Sequence, residues 1–326
     1  MATTTADLPP DALPLFTVLD AGVDTRLVDF GRPDQRAWGV GLGGAADRWT
    51  LTLGNALLGN PPDATALEVC LRGPRLHAHR RFVGVVCGAP FALRAGSASR
   101  PLRPNFCFTL EADDQLEVGG TAAGLRAYLC VVGGLAAPRI LGSTSGLDPV
   151  PRGAVLHGHA GGTIAAPPRL GLSESMLEPI QPADAAVVLR VLPGDHAGAF
   201  PAGLATLLHA EYTVTPASNR MGLRLAGPAL RHTLGELLSE PVVPGTIQVT
   251  HDGQPVILGI DGQTIGGYPR LAHVITADWD RLGQVRPGQR VRFVLVDQAQ
   301  ARRLLQQRAK RLAAYCGRLG LFQQHR

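Results

Sequence analysis

Lysine is almost missing from this chain. Of the 31 Lys and Arg residues, 30 are arginine and the one lysine is Lys310, close to the C-terminus. A phosphate-binding P-loop requires a lysine behind its glycines, and Schiff-base or pyridoxal chemistry requires one in the core, so all of these are excluded. Where ATP takes part, it is bound by another chain or at a site without a P-loop. Aromatic residues are scarce at 5%, and none interleaves with the C-terminal arginines in the way a base-stacking surface needs, which speaks against nucleic acid as a partner. Cysteine is sparse and odd in number: Cys70, Cys87, Cys107, Cys130 and Cys316. Without Cys-x-x-Cys spacing they form neither a disulfide framework nor a zinc site, and read as small core hydrophobes. No run approaches the roughly 20 apolar residues of a membrane span, and Met1 to Pro14 lacks a basic-then-apolar leader pattern; the expected setting is cytoplasmic, with no membrane partner. Acid is missing from Gln298 to Arg326, where Arg302, Arg303, Arg308, Lys310, Arg311, Arg318 and Arg326 supply the basic character. Leu305, Ala309, Leu312, Cys316 and Leu319 give that stretch a helical apolar spacing. A helix docked on its own domain, or one contacting a partner, accounts for it.

What the chain does contain is glycine (40) and proline (26) beside 45% hydrophobic residues in 326 positions. That composition describes a folded, turn-rich protein of two domains. Runs of β-forming residues at Leu67–Leu71, Phe106–Leu110, Leu125–Val132, Val187–Leu192, Val256–Ile260 and Val291–Val296 are separated by Gly, Pro and Asp-Gly, the rhythm of barrels and sandwiches. A helix is expected over Ala45 to Leu58, with Trp49, Leu53 and Leu57 on one stripe and Gly59 and Pro61-Pro62 to end it. A second is expected over Leu230 to Ser239. Gly142 to Pro182, rich in Gly, Pro and Ala, reads as a loop or interdomain connection.

Several short patterns lose their meaning in context. Gly39-Val40-Gly41-Leu42-Gly43-Gly44 matches Gly-x-Gly-x-x-Gly, but no buried strand precedes it, so the context a dinucleotide site needs is missing; free N–H groups there could still take an anion, or the glycines form a structural turn. Gly142-Ser143-Thr144-Ser145-Gly146 carries threonine where a nucleophile elbow needs serine. His77/His79 and His157/His159 are spaced so that each pair shares a strand face, which suits a metal. Carboxylate or cysteine spacing beside them is lacking, so they read as surface or core histidines and no metal site is expected.

The most specific stretches lie in the second half. They are Tyr212 to Gly222 with Ser218-Asn219-Arg220-Met221-Gly222, Arg224 to Pro228, Pro244 to Val249, Asp252 to Pro255, Asp261-Gly262-Gln263-Thr264-Ile265-Gly266-Gly267-Tyr268-Pro269-Arg270, and Arg286-Pro287-Gly288. Earlier segments agree: Asp29 to Arg32, Ala45 to Arg48, Ala56 to Pro61, Ala66 to Glu68, Tyr128 with Gly133-Gly134, and Leu141 to Ser143. Across roughly Gly22 to Val296 the chain resembles the allophanate hydrolase subunit 2 family, also called the KipA or biotin-dependent carboxyltransferase family, which includes the C subunit of 5-oxoprolinase. The resemblance implies a mainly β protein of two cyclophilin-like β-barrel domains with few short helices and a C-terminal amphipathic helix. It would divide into a tail (1–20), an N-terminal barrel domain (21–182), a C-terminal cyclophilin-like barrel domain (183–297) and a basic helix (298–326). It also implies a KipI-like companion, equivalent to the B subunit of 5-oxoprolinase, a third protein resembling the A subunit of that enzyme, and ATP, or biotin carried on a partner. Two activities follow: a component of an ATP-dependent complex that opens 5-oxoproline to glutamate or transfers a carboxyl group, or a non-catalytic regulatory protein acting through the companion.

The residue chemistry suits a small anionic or amide substrate, because a carboxylate or amide oxygen wants a fixed guanidinium and convergent main-chain donors. Arg220 offers a fork. Asp261 would orient it or act as a base. Gly266 and Gly267 let main-chain N–H groups approach a ligand, and Gln263, Thr264 and Tyr268 add neutral polar groups. Asp47, Ser143, Ser218 and Asn219 complete the candidate set. Against the family pattern, Gly43 replaces a serine, Asn219 an aspartate, Thr144 an arginine, Thr250 a proline and Ile265 a threonine. Such changes fit altered specificity or a scaffold that has lost catalysis.

Overall fold

The structure, a computed structural model, describes residues 8–96, 98–161 and 170–324. The chain forms two compact units, each discontinuous in sequence. The first takes Met1–Gly31, Arg48–Ile180 and Arg311–Arg326; the second takes Arg32–Asp47 and Gln181–Lys310.

The first unit is built from two antiparallel sheets. Seven strands run in the order Leu135–Ala136, Val155–His159, Ala12–Asp20, Arg75–Ala78, Gln115–Val118, Leu93–Ala95, Arg100–Leu102. Five more run Asp24–Val28, Ala66–Cys70, Arg126–Val131, Phe82–Gly88, Phe108–Leu110. Alternate residues of both sheets meet in one core: Phe16, Val18 and Leu76 from the first pack with Leu67, Val69, Val86 and Leu129 from the second. The segment expected as a tail is corrected here, because Leu15, Phe16 and Val18 are buried and draw Ala12–Asp20 into the middle of a sheet. The opposite face of the five-stranded sheet holds a buried ion pair. Glu68 accepts from Arg126 Nε at 3.0 Å and from the Tyr128 hydroxyl at 2.7 Å.

The helix expected before Gly59 forms over Arg48–Leu58, with Trp49, Leu53 and Leu57 all buried. It packs on Phe82–Gly88 and Arg126–Val131. At Gly54 a Cβ would sit 2.8 Å from Cys130 Sγ and 3.2 Å from Cys87 Sγ. Both thiols are fully buried, and burial drives them up, Cys87 well above 9.0. Gly54→Val is therefore expected to destabilise the chain by about 1–3 kcal/mol through overpacking, despite valine's better helix propensity. A lowered urea midpoint with an unchanged m-value would register it.

The second unit is a closed barrel: Val187–Pro193, Arg270–Val274, Thr246–Val249, Pro255–Leu258, Gly222–Ala226, Tyr212–Val214, Arg290–Leu295, back to the start. Seven strands cannot close with every neighbour antiparallel. The one parallel seam joins Val187–Pro193 to Arg290–Leu295. Leu189, Val191, Tyr212, Val214, Leu225, Ile247, Ile257, Leu271 and Val291 fill the interior, and closure leaves no sheet edge. Asp278, fully buried, accepts from Arg190 Nε and from the Arg190 backbone N–H at 2.9 and 2.8 Å. The mainly β architecture with few helices stands as expected.

The helix expected over Leu230 to Ser239 does not form. Only Leu230 is buried there, so no apolar stripe exists to hold one. Helices form instead at Gly203–His209, Trp279–Leu282 and Gln298–Gln324. Gly142 to Pro182, expected as connection, carries the strand Val155–His159; its residues 162–169 lie outside the described residues. In the C-terminal helix Ala301 and Leu304 face Ile275, Ala277 and Val296, while Leu305 is exposed. Farther along, Arg311 lies over the Trp49 ring and Tyr315 donates to Ser175 O at 3.0 Å. All five cysteines are free thiols. Among the described residues, no helix is long and apolar enough to cross a membrane.

Candidate functional site

The barrel register brings Arg220 and Asp261 together. Gly222 pairs with Leu258, and just beyond the strand ends the Gly259 N–H donates to Met221 O (2.9 Å) and the Asp261 N–H to Arg220 O (3.1 Å). The two side chains then meet as a fork: Arg220 Nε to Asp261 Oδ2 at 2.6 Å and Nη2 to Oδ1 at 2.9 Å. Arg220 Nη2 also donates to Gly44 O at 2.7 Å. The guanidinium is buried and its fork is committed within the protein. The Gly43 N–H is committed as well, donating to Ile260 O at 3.1 Å. The chain turns there through Gly43 and Gly44, both in the left-handed region that favours glycine. Arg32, buried, brings Nη1 within 3.4 Å of the place a Gly43 Cβ would occupy.

Beyond Asp261 the chain runs through the polar loop to Tyr268. Ile265–Gly266 pairs with Glu240–Pro241 in a two-stranded ribbon, and the Val242 N–H donates to Thr264 O at 2.9 Å. A Cβ at Gly266 would lie 2.7 Å from Gln248 Nε2 and 2.8 Å from Gln263 Nε2, so two amides crowd a backbone that only glycine leaves open. Gln248 is buried, whereas Gln263 and Tyr268 are exposed, the Tyr268 ring edge-on to His251. Gly267 lies beside Leu237 O. Arg270 clamps the ribbon by donating to Pro241 O at 3.2 Å and pairing with Glu240. Arg36 lies against this loop. Its Nη2 bonds to Val242 O and reaches Gln263 O at 3.5 Å, while its Nη1 is buried with no acceptor among the described residues. Burial pulls this guanidinium below its ordinary value.

Other candidates have local partners. Asp47 is buried and accepts from Gln284 Nε2 at 2.8 Å. Ser218 Oγ accepts from Arg224 N at 3.0 Å and Asn219 Oδ1 from Met221 N at 2.8 Å, closing the turn that carries Arg220. Ser143 belongs to the first unit, where its hydroxyl donates to Asp29 Oδ1 at 2.5 Å and accepts from the Ser145 N–H at 3.0 Å. The loop around it is held by the same carboxylate, through Ser145 Oγ (2.6 Å), Thr144 N (2.8 Å) and Gly31 N (2.7 Å). Burial pushes the Asp29 carboxyl up, but the hydroxyls of Ser143 and Ser145 with these N–H groups outweigh it and hold it below 3.8. Among the described residues, no three His, Cys, Asp or Glu side chains converge on a metal position.

Sequence reasoning missed Arg32, Arg36 and Gln248. Gln248 had a usable signal, a lone amide in the apolar run Ile247-Gln248-Val249. Arg36 had none, since its importance depends on a loop more than 200 residues away.

The model of the family "Carboxyltransferase domain, subdomain A and B" matches residues 38–295. The chain is 33% identical over 292 residues to the C subunit of 5-oxoprolinase from Escherichia coli K12, covering 86% of this chain and 91% of that protein. It is 33% identical over 300 residues to the corresponding C subunit from Haemophilus influenzae, covering 89% and 94%. Among solved structures, the urea amidolyase of K. lactis superposes with a TM-score of 0.85 at 26% identity, over 93% of this chain and 20% of that one. This chain thus spans a fifth of that larger protein.

Proposed function

This chain belongs to the family of carboxyltransferase domains, subdomain A and B, and from that premise we propose that it is the substrate-holding component of an ATP-dependent amide-hydrolysing or carboxyl-transferring complex. The reaction favoured by the two 5-oxoprolinase relatives is the opening of 5-oxoproline to glutamate. The observation that carries the reading is Arg36. A buried guanidinium N–H without an acceptor is an unmet demand for an oxygen, and it lies against the loop on which Gln263, Thr264 and Tyr268 offer neutral polar groups. In this reading a lactam or carboxylate oxygen takes the Arg36 donor, and the Gln263 amide and Tyr268 hydroxyl orient the ring. Asp261 acts as a positioning residue, holding Arg220, and through Gly44 the glycine loop, in one arrangement.

In this reading the glycine loop is not an ATP site. The glycine loop has spent the Gly43 N–H on Ile260 O, and no lysine accompanies it. The nucleotide, or biotin, is therefore assigned to a KipI-like companion, the counterpart of the 5-oxoprolinase B subunit, or to a third protein like that enzyme's A subunit. The non-catalytic reading keeps one supporting observation: Asp47, Ser143, Ser218 and Asn219 are all engaged in bonds that brace loops.

The test is ATP hydrolysis dependent on 5-oxoproline by the complex reconstituted with companion-family proteins. Arg36→Gln and Gln263→Ala are each expected to lower kcat/KM about tenfold or more, with unfolding midpoints near the parent's. Gly266→Ala should act similarly by displacing the two amides. Turnover unaffected by all three substitutions would remove the loop from the reaction. No turnover with any companion would favour the regulatory reading.

A further inference from the structure

The two histidine pairs of the sequence land on one face of one sheet. Arg75–Ala78 and Val155–His159 both flank the strand Ala12–Asp20 in the first unit. Leu76, Ala78 and Leu156 are buried in the core, so the alternation of a strand sends His77, His157 and His159 to the opposite face. His79 continues that face just past the strand end, its main-chain N–H donating to Leu15 O at 2.9 Å. The four rings are not equivalent. His159 is engaged by Asp11 through Nδ1 at 2.9 Å. His157 is partly buried. His77 and His79 stand edge to face with ring centres 5.4 Å apart. Two imidazoles that share one metal ion at about 2.0–2.1 Å place their ring centres roughly 5 Å apart, close to what these two already adopt.

Oxygen partners decide which ring nitrogens remain. His77 Nε2 faces Asp113 Oδ1 at 3.6 Å, and His79 Nε2 lies 2.7 Å from Thr17 Oγ1. When Nε2 carries the proton toward an oxygen, Nδ1 keeps a lone pair, the arrangement in which an outer partner fixes a metal-binding imidazole. We infer that His77 and His79 form a two-imidazole chelate for a divalent first-row transition metal, binding through Nδ1 with Asp113 and Thr17 as outer partners and water in the remaining positions. No third ligand is required, in keeping with the lack of any preformed three-ligand cluster among the described residues. Imidazole donors select copper, nickel and zinc over the hard cations, with copper the tightest.

The experiment uses the untagged full chain, titrated calorimetrically with Cu²⁺, Ni²⁺, Zn²⁺, Ca²⁺ and Mg²⁺. One equivalent of copper is expected to bind more tightly than nickel or zinc, with no calcium or magnesium binding. His77→Asn and His79→Asn should each weaken copper binding about 10–100-fold, whereas His251→Asn, in the other unit, should leave it unchanged. Thermal midpoints of all variants, measured without metal, should match the parent because both rings lie toward solvent. The Cu²⁺ paramagnetic spectrum should show two equatorial imidazole nitrogens in the parent and one in either variant. Copper bound equally well by His77→Asn and His79→Asn, or a spectrum unchanged by them, would overturn the site.

Discussion

Asp261→Ala is expected to lower the free energy of unfolding by about 3 kcal/mol, the lower end of what breaking a buried ion pair costs, because the carboxylate side is a quarter open to water while the guanidinium is buried. The asymmetry follows from burial. Without Asp261 the Arg220 charge stays where solvent cannot reach it, keeping only its other hydrogen bonds, among them that to Gly44 O. Arg220→Ala leaves a carboxylate that can turn toward water, so its cost should be smaller. The double variant should then cost less than the sum of the two, and the difference is the coupling energy of the fork. Urea midpoints of the four proteins measure it. An Asp261→Ala chain within about 1 kcal/mol of the parent would show that the pair is screened as a surface bridge is, and the positioning role assigned to Asp261 would go with it. The substitution should also disturb the loop beyond it, so kcat is expected to fall together with stability.

Local pattern carried much of the fold. The runs at Leu67, Leu125, Val187, Val256 and Val291 all became strands, and the Trp49, Leu53, Leu57 stripe became a helix, because burial along a strand or one helical face is written within a few residues. The helix expected over Leu230 to Ser239 failed for the converse reason: beyond Leu230 none of its residues is buried, and the segment bonds elsewhere, the Thr233 N–H donating to Ala199 O. What no local pattern could disclose is that residues 32–47 join the later unit. That placement decides the site. It is why Gly44 meets Arg220, why Gly43 meets Ile260, and why Arg36 reaches the Gln263 loop. Arg220 and Asp261 were legible as a pair from chemistry, and the choice between orienting residue and base rests on the fork geometry. Ser143 illustrates the opposite error. Its hydroxyl looked available in the sequence, and only the position of Asp29, 114 residues earlier, accounts for it.

That carboxylate carries the second large effect. Asp29→Ala removes the common acceptor of Ser143 Oγ, Ser145 Oγ, Thr144 N and Gly31 N, leaving several buried donors unmet at a cost on the order of 3–5 kcal/mol. Ser143→Ala deletes one donor and leaves the rest of the nest in place, so about 1 kcal/mol is expected, with kcat/KM per folded molecule unchanged. A fall in kcat/KM on that change would return Ser143 to the substrate site. The pH dependence has a definite sign. The folded-state carboxyl titrates below its ordinary 3.8, so between those values the unfolded chain binds the extra proton. The contribution is therefore complete above the ordinary value and disappears as the pH falls through the folded one. Asp29→Asn should flatten that limb: parent and variant should differ most near neutrality and converge in acid, because a protonated aspartic acid and an amide both lack the charge that the two serine hydroxyls and the main-chain donors surround. Parallel stability curves for the two proteins down through the acid range would mean that Asp29 contributes its shape and not its charge.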